Sequence, residues 1–140
     1  MHPTTYRAVL VGLTGIGDPG GNNLRPADYQ ALFDVWRRGE LTVRVTYSLG
    51  AQTPGSEFED YRTLTTMLPM GFGDGMLRFN GLGEQITAAM NNNDAPGDAD
   101  KAKYYEIARW AADRGLTLTM HWGRDASVDH LLGIFERINK

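Results

Sequence analysis

Leu116-Thr117-Leu118-Thr119-Met120-His121-Trp122-Gly123-Arg124-Asp125 reads as a strand that ends on an imidazole, turns through a glycine and hands an aspartate to a helix. Alternating apolar and β-branched residues suit a pleated strand packed inward. Beyond it, Ser127, Val128, Leu131, Leu132, Phe135 and Ile138 recur at helical spacing. A titratable side chain at the C-terminal end of a strand, just before a helix, is where α/β barrels place their chemistry.

Upstream, the same strand-then-helix rhythm repeats. Thr4 to Val11 has Tyr6, Val9 and Leu10 on one side and predicts a short helix; Gly12 to Gly17 then predicts a strand, closed by Asp18-Pro19-Gly20-Gly21. Asn22, Asn23 and Pro26 open a helix whose Tyr29, Leu32, Phe33 and Trp36 form an apolar stripe, and Arg37, Arg38 and Gly39 close it. Leu41 to Ser48 alternates as a second strand. Ser56 and Glu59 have the spacing of a capping box for a helix through Phe58, Tyr61, Leu64 and Met67 or Leu68. Met76 to Leu82 is the third strand and leads into Gly83 and Glu84. A long connection rich in Asn, Asp, Pro and Gly runs from Gln85 to Asp98, a length that tends to mark functional loops. Asp98 or Asp100 can cap the helix that follows, and Gly115 ends it.

The expected order is α-β-α-β-α-β-α-β-α. Strand centres near Ile16, Val45, Phe79 and Thr119 lie 29, 34 and 40 residues apart. Helical connections imply parallel strands and right-handed crossovers. A full (β/α)₈ barrel of about 250 residues averages roughly 31 per unit. The fold class expected is therefore α/β: a partial TIM-type barrel of about four parallel β/α units, in one domain over residues 1–140.

Composition narrows the function classes. The 140 residues carry a formal charge of −3 with both signs dispersed, so neither nucleic acid nor a membrane surface is an expected partner. No cysteine is present, which removes disulfides, thiolate nucleophiles and cysteine-held zinc. No apolar run reaches the roughly 18 residues of a membrane span, and the N-terminus lacks the long apolar region of a signal peptide. A cytoplasmic protein is the expectation.

His121 can serve as a metal ligand or general base, or be an ordinary histidine satisfied by a carbonyl. Asp125 can cap the following helix or orient an imidazole or a bound water. Glu84, at the end of the third strand, can ligate a metal, act as a base, or remain a solvated loop charge. Asp18 falls at the same end of the sheet and also suits an Asx-type turn before Pro19. Tyr47 and Ser48 can line the same mouth. His2, near a terminus, and His130, within a helix, carry no functional expectation. The glycines at 15, 17, 20 and 21 lack the spacing of a dinucleotide fingerprint.

Four stretches occur in a recognisable order: Leu13-Thr14-Gly15-Ile16-Gly17-Asp18-Pro19-Gly20-Gly21, Gly39-Glu40-Leu41-Thr42-Val43-Arg44-Val45, Leu77-Arg78-Phe79-Asn80-Gly81-Leu82-Gly83-Glu84 and Leu116 to His121. They resemble successive strands of the family-3 branch of the metal-dependent amidohydrolase superfamily, which includes enzymes like N-substituted formamide deformylase. His121-x-x-x-Asp125-x-x-Val128 followed by Phe135-Glu136 is the strongest part. The resemblance implies barrel strands two to five of a hydrolase that cleaves amide or imide C–N bonds in small molecules, using a divalent metal such as zinc. It makes His121 the strand-five metal ligand. The family's lysine position falls on or beside Gly83, which leaves Glu84 as the nearest carboxylate for the metal, and Asp125 takes a catalytic, orienting role. The first-strand His-x-His, the strand-six histidine and the strand-eight aspartate of the family have no counterpart here. A metal site needs three or four protein ligands, so the chain is expected to be inactive alone. The alternative is a non-catalytic half-barrel with a structural or associative role, including self-association through open sheet edges.

Overall fold

The computed structural model describes residues 12–20, 24–91 and 93–140. The expected helix from Thr4 to Val11, together with His2, Gly21, Asn22 and Asn23, lies outside the described residues. Strands β1 (Gly15–Asp18), β2 (Arg44–Leu49) and β3 (Leu77–Leu82) form one parallel sheet in that order. Ile16 pairs with Val45, Val45 with Leu77, and Tyr47 with Phe79. A 3₁₀ turn at Pro26–Tyr29 leads into α1 (Gln30–Arg37); α2 (Glu57–Leu64), α3 (Asp98–Asp113) and α4 (Asp125–Ile138) complete the described elements. The α/β class and its partial barrel of parallel β/α units are as expected.

Period-two alternation positions the core. Val45, Tyr47, Leu77 and Phe79 are buried on one face, whereas Arg44, just before Val45, and Arg78, between Leu77 and Phe79, are exposed on the other. Tyr47 sits at the centre, its ring 5.7 Å from Tyr29, 5.4 Å from Phe33 and 5.7 Å from Phe79. Tyr61, Tyr104, Ile107, Ala108, Ala111, Leu131 and Ile134 extend this core across α2, α3 and α4. Tyr47 therefore belongs to the core and does not line the mouth. Ser48 is likewise fully buried.

Four local expectations are corrected. The first strand begins at Gly15, not Gly12, because Gly12 takes φ +78, a left-handed value that no extended strand accommodates. Ser56 precedes α2 but makes no side-chain cap. The start of that helix is tied instead by Asp60, whose Oδ2 accepts the amides of Gln52 (2.8 Å) and Thr53 (2.6 Å). At α3 the N-cap is Gly97, and Asp100 reaches back to its amide at 3.2 Å. On α4, Leu132 is exposed and Ile134 is buried in its place.

The fourth strand is the largest difference. Leu116 to His121 forms one parallel bridge, Leu118 to Leu82, rather than a full strand. The cause lies on the outer edge of β3. The turn 71–74 folds back along it: Gly71 N–H donates to the Phe79 carbonyl (3.0 Å), Phe79 N–H to Phe72 (2.8 Å) and Asp74 N–H to Leu77 (2.9 Å). Asp74 pins that turn by accepting from the amides of Met76 (2.7 Å) and Leu77 (3.0 Å) and from Trp36 Nε1 (2.8 Å). Those donors, the Leu77 and Met76 amides foremost, hold its carboxyl below the usual carboxylate range. Only the far half of the edge remains. There Leu82 N–H donates to the Thr117 carbonyl, and Thr119 N–H donates to Leu82, both at 2.8 Å. The two backbones meet at Gly81, whose φ is +102 and where a Cβ would run into the Thr117 main chain. Among the described residues, the sheet edges are β1 on one side and this short segment on the other.

Candidate functional site

The C-terminal ends of the strands are drawn together by backbone bonds. Gly83 N–H donates to the Leu49 carbonyl and Glu84 N–H to the Gly20 carbonyl, each at 3.1 Å, and His121 N–H donates to the Glu84 carbonyl at 2.6 Å. The main chain of Glu84 is thus held by the end of β1 on its amide side and by the fourth segment on its carbonyl side. The Gly83–Glu84 peptide is cis. Gly20, Gly50 and Gly83 pack backbone to backbone here, in space a side chain would fill.

From this frame the two side chains singled out by sequence meet. His121 Nδ1 lies 3.5 Å from Glu84 Oε2, with the imidazole side chain 45% and the carboxylate side chain 25% exposed. Both can therefore be reached by a ligand. Protonated, the imidazole forms an ion pair; in the neutral tautomer with Nδ1 bare, a lone pair stands beside a carboxylate oxygen.

The other candidates lie apart from this pair. Asp125 is the first residue of α4 and is exposed; Arg124 takes the N-cap position, so the capping role expected of Asp125 is not realised. Asp125 forms no hydrogen bond with His121 or Glu84 among the described residues. At the end of β1, Asp18 makes the expected Asx turn through Oδ1 to the Gly20 amide (3.0 Å), and its Oδ2 accepts from the Tyr29 hydroxyl (3.0 Å). Burial, reinforced by the Asp18 charge, pushes that hydroxyl well above the ordinary tyrosine range. His130 sits half-buried on α4.

One supporting contact was invisible in the sequence. Arg124 Nη1 pairs with Asp94 at 2.8 Å, tying the long connection to the turn between His121 and α4. Its only prior signal was the concentration of polar residues in that connection. Among the described residues, no three His, Cys, Asp or Glu side chains come together as a metal-holding group.

Residues 6–140 match the model of the amidohydrolase family. The chain belongs to the amidohydrolase family. Two solved structures share the fold of this amidohydrolase chain. An uncharacterized metal-dependent hydrolase from Pyrococcus furiosus superposes with a TM-score of 0.64 at 22% identity, covering 96% of this chain and 30% of its own. A second such hydrolase, from Pyrococcus horikoshii OT3, gives 0.62 at 18%, covering 95% of this chain and 28% of its own. The amidohydrolase chain thus spans under a third of the length of either structure. Comparison with curated proteins found no significant match.

Proposed function

We propose that this amidohydrolase chain contributes Glu84 and His121 to a divalent-metal centre, zinc by preference, that hydrolyses amide- or imide-type C–N bonds in small molecules, as enzymes like N-substituted formamide deformylase do. The juxtaposition of those two side chains at the C-terminal end of the sheet carries the reading. Their chemistry and spacing fit. Imidazole nitrogen and carboxylate oxygen are standard ligands at roughly 2.0–2.2 Å, and two such atoms in a tetrahedral set lie about 3.4 Å apart. The observed 3.5 Å needs little adjustment. Their number does not suffice: two donors leave one or two places to be filled from outside the described residues.

A divalent metal, when bound, supplies Lewis acidity that polarises a carbonyl and lowers the pKa of water. The residues of this chain do the holding. The backbone bonds at Glu84 and His121 hold both main chains in place before any ligand arrives, which limits the entropy lost on binding. Asp125, exposed at the start of α4, is the carboxylate we assign to orient a bound water or the imidazole once the site is completed.

The 140-residue chain supplied with Zn²⁺ is expected to show no hydrolysis of an N-substituted formamide above the uncatalysed rate. Metal-dependent turnover that disappears in His121→Ala would show a complete site in this chain and overturn the two-donor reading.

A further inference from the structure

We infer that α2 is a clamp that sets Glu84 against His121, with Tyr61 and Glu57 as its positioning residues; the inference rests on the reading that those two side chains act together. Glu57 and Tyr61 are four residues apart, so they share one face of the helix. Both are buried, Tyr61 completely. The Tyr61 hydroxyl accepts the Ala51 amide at 3.1 Å and donates to the Gln85 carbonyl at 3.2 Å. Ala51 lies just past β2, and Gln85 directly follows Glu84. One hydroxyl therefore ties the exit of β2 to the residue beside Glu84.

One turn earlier, Glu57 Oε1 accepts the Ala88 amide at 3.3 Å, and Oε2 sits 2.6 Å from Lys103 Nζ as a charge pair rather than an aligned hydrogen bond. Lys103 also donates to the Gly55 carbonyl at 2.7 Å, which links α3 to the loop before α2. Both ends of the 85–88 stretch hang on α2, and Ile86 and Thr87 between them are fully buried. Burial raises the Tyr61 hydroxyl above its ordinary range, so it stays a protonated donor. Burial pushes the Glu57 carboxyl up as well, but Lys103 and the amides around it, including those of Gly55 and Ala88, outweigh this and keep it ionised. A neutral hydroxyl and an ionised carboxylate are the forms these contacts require. Neither side chain belongs to the Glu84–His121 pair; they act on Glu84 through the main chain of Gln85 and Ala88 that follows it.

Residue-resolved hydrogen exchange on Tyr61→Phe tests the clamp, with Co²⁺ binding as the second readout. The amides of Glu84 and His121 should exchange about tenfold faster relative to those of Ile107 and Ala108, the shift produced by losing one ordinary buried hydrogen bond. Co²⁺ affinity should fall in the same variant. Should Tyr61→Phe fail to fold, Glu57→Ala frees the other end of the stretch and should speed Ala88 and Glu84 in the same way. Acceleration that is uniform over all amides, or confined to Ala51, would make the role purely structural and overturn the clamp. If Co²⁺ binds wild type, Glu84→Gln and His121→Ala alike, the metal reading fails, and the exchange pattern still decides the clamp.

Discussion

Phe79→Ala is expected to destabilise the fold by about 3–5 kcal/mol, the range for deleting a fully buried aromatic ring. Phe79 is 0% exposed, and its ring lies against Tyr47, which in turn contacts Tyr29 and Phe33. Its backbone also accepts and donates the bonds that hold the 71–74 turn on the edge of β3. The cavity would open beside Tyr47, on the buried face of the sheet. Domains of this size are stable by roughly 5–15 kcal/mol, so the loss should shift a thermal melt by about 10 °C or more. Leu132→Ala, on the exposed face of α4, is the control and should stay within about 0.5 kcal/mol. A Phe79→Ala melt that coincides with wild type would place the core elsewhere.

Gly81→Ala is expected to cost about 3 kcal/mol and to act on one segment in particular. A left-handed φ costs a side chain roughly 1–2 kcal/mol, and pressing a new methyl against packed atoms adds about 1–3 kcal/mol. At Gly81 the φ is +102 and the obstacle is the main chain of Thr117, which cannot rotate aside. The fourth segment should be pushed off β3. The Thr119 and His121 amides, which donate to Leu82 and Glu84, would lose protection first in hydrogen exchange. Protection unchanged at both would contradict the docking described for this segment.

The contrast between those two residues marks what the sequence could reveal. Phe79 was readable as core because alternation through Leu77, Phe79 and Gly81 is local, and the stripe of Tyr29, Leu32, Phe33 and Trp36 that covers the sheet is periodic. Glu84 and His121 were readable because each is a titratable residue just past an apolar run, where parallel sheets expose the ends of their strands. The truncation of the fourth strand was not readable. It arises because Gly71 to Asp74 competes for the edge of β3, and such non-local pairing leaves no periodic trace. The grip of Tyr61 on Gln85, the Glu57–Lys103 pair and the Arg124–Asp94 pair join positions 24, 46 and 30 residues apart. Spacing within one element cannot predict such contacts. Ser56 failed as a cap for a different reason: its backbone stands at φ −118, ψ 22, off the extended conformation from which an N-cap side chain reaches the first helix amides.

The central claim is that Glu84 and His121 are two ligands of an unfinished metal site. Titration of the 140-residue chain with Co²⁺, in wild type, Glu84→Gln and His121→Ala, tests it most directly. Weak, saturable binding with one ion per chain in wild type, lost in both variants, is the result expected of two donors 3.5 Å apart. Binding that ignores both substitutions, or no binding and no shift of the thermal melt with metal, would contradict it and favour a chain whose role is association rather than catalysis.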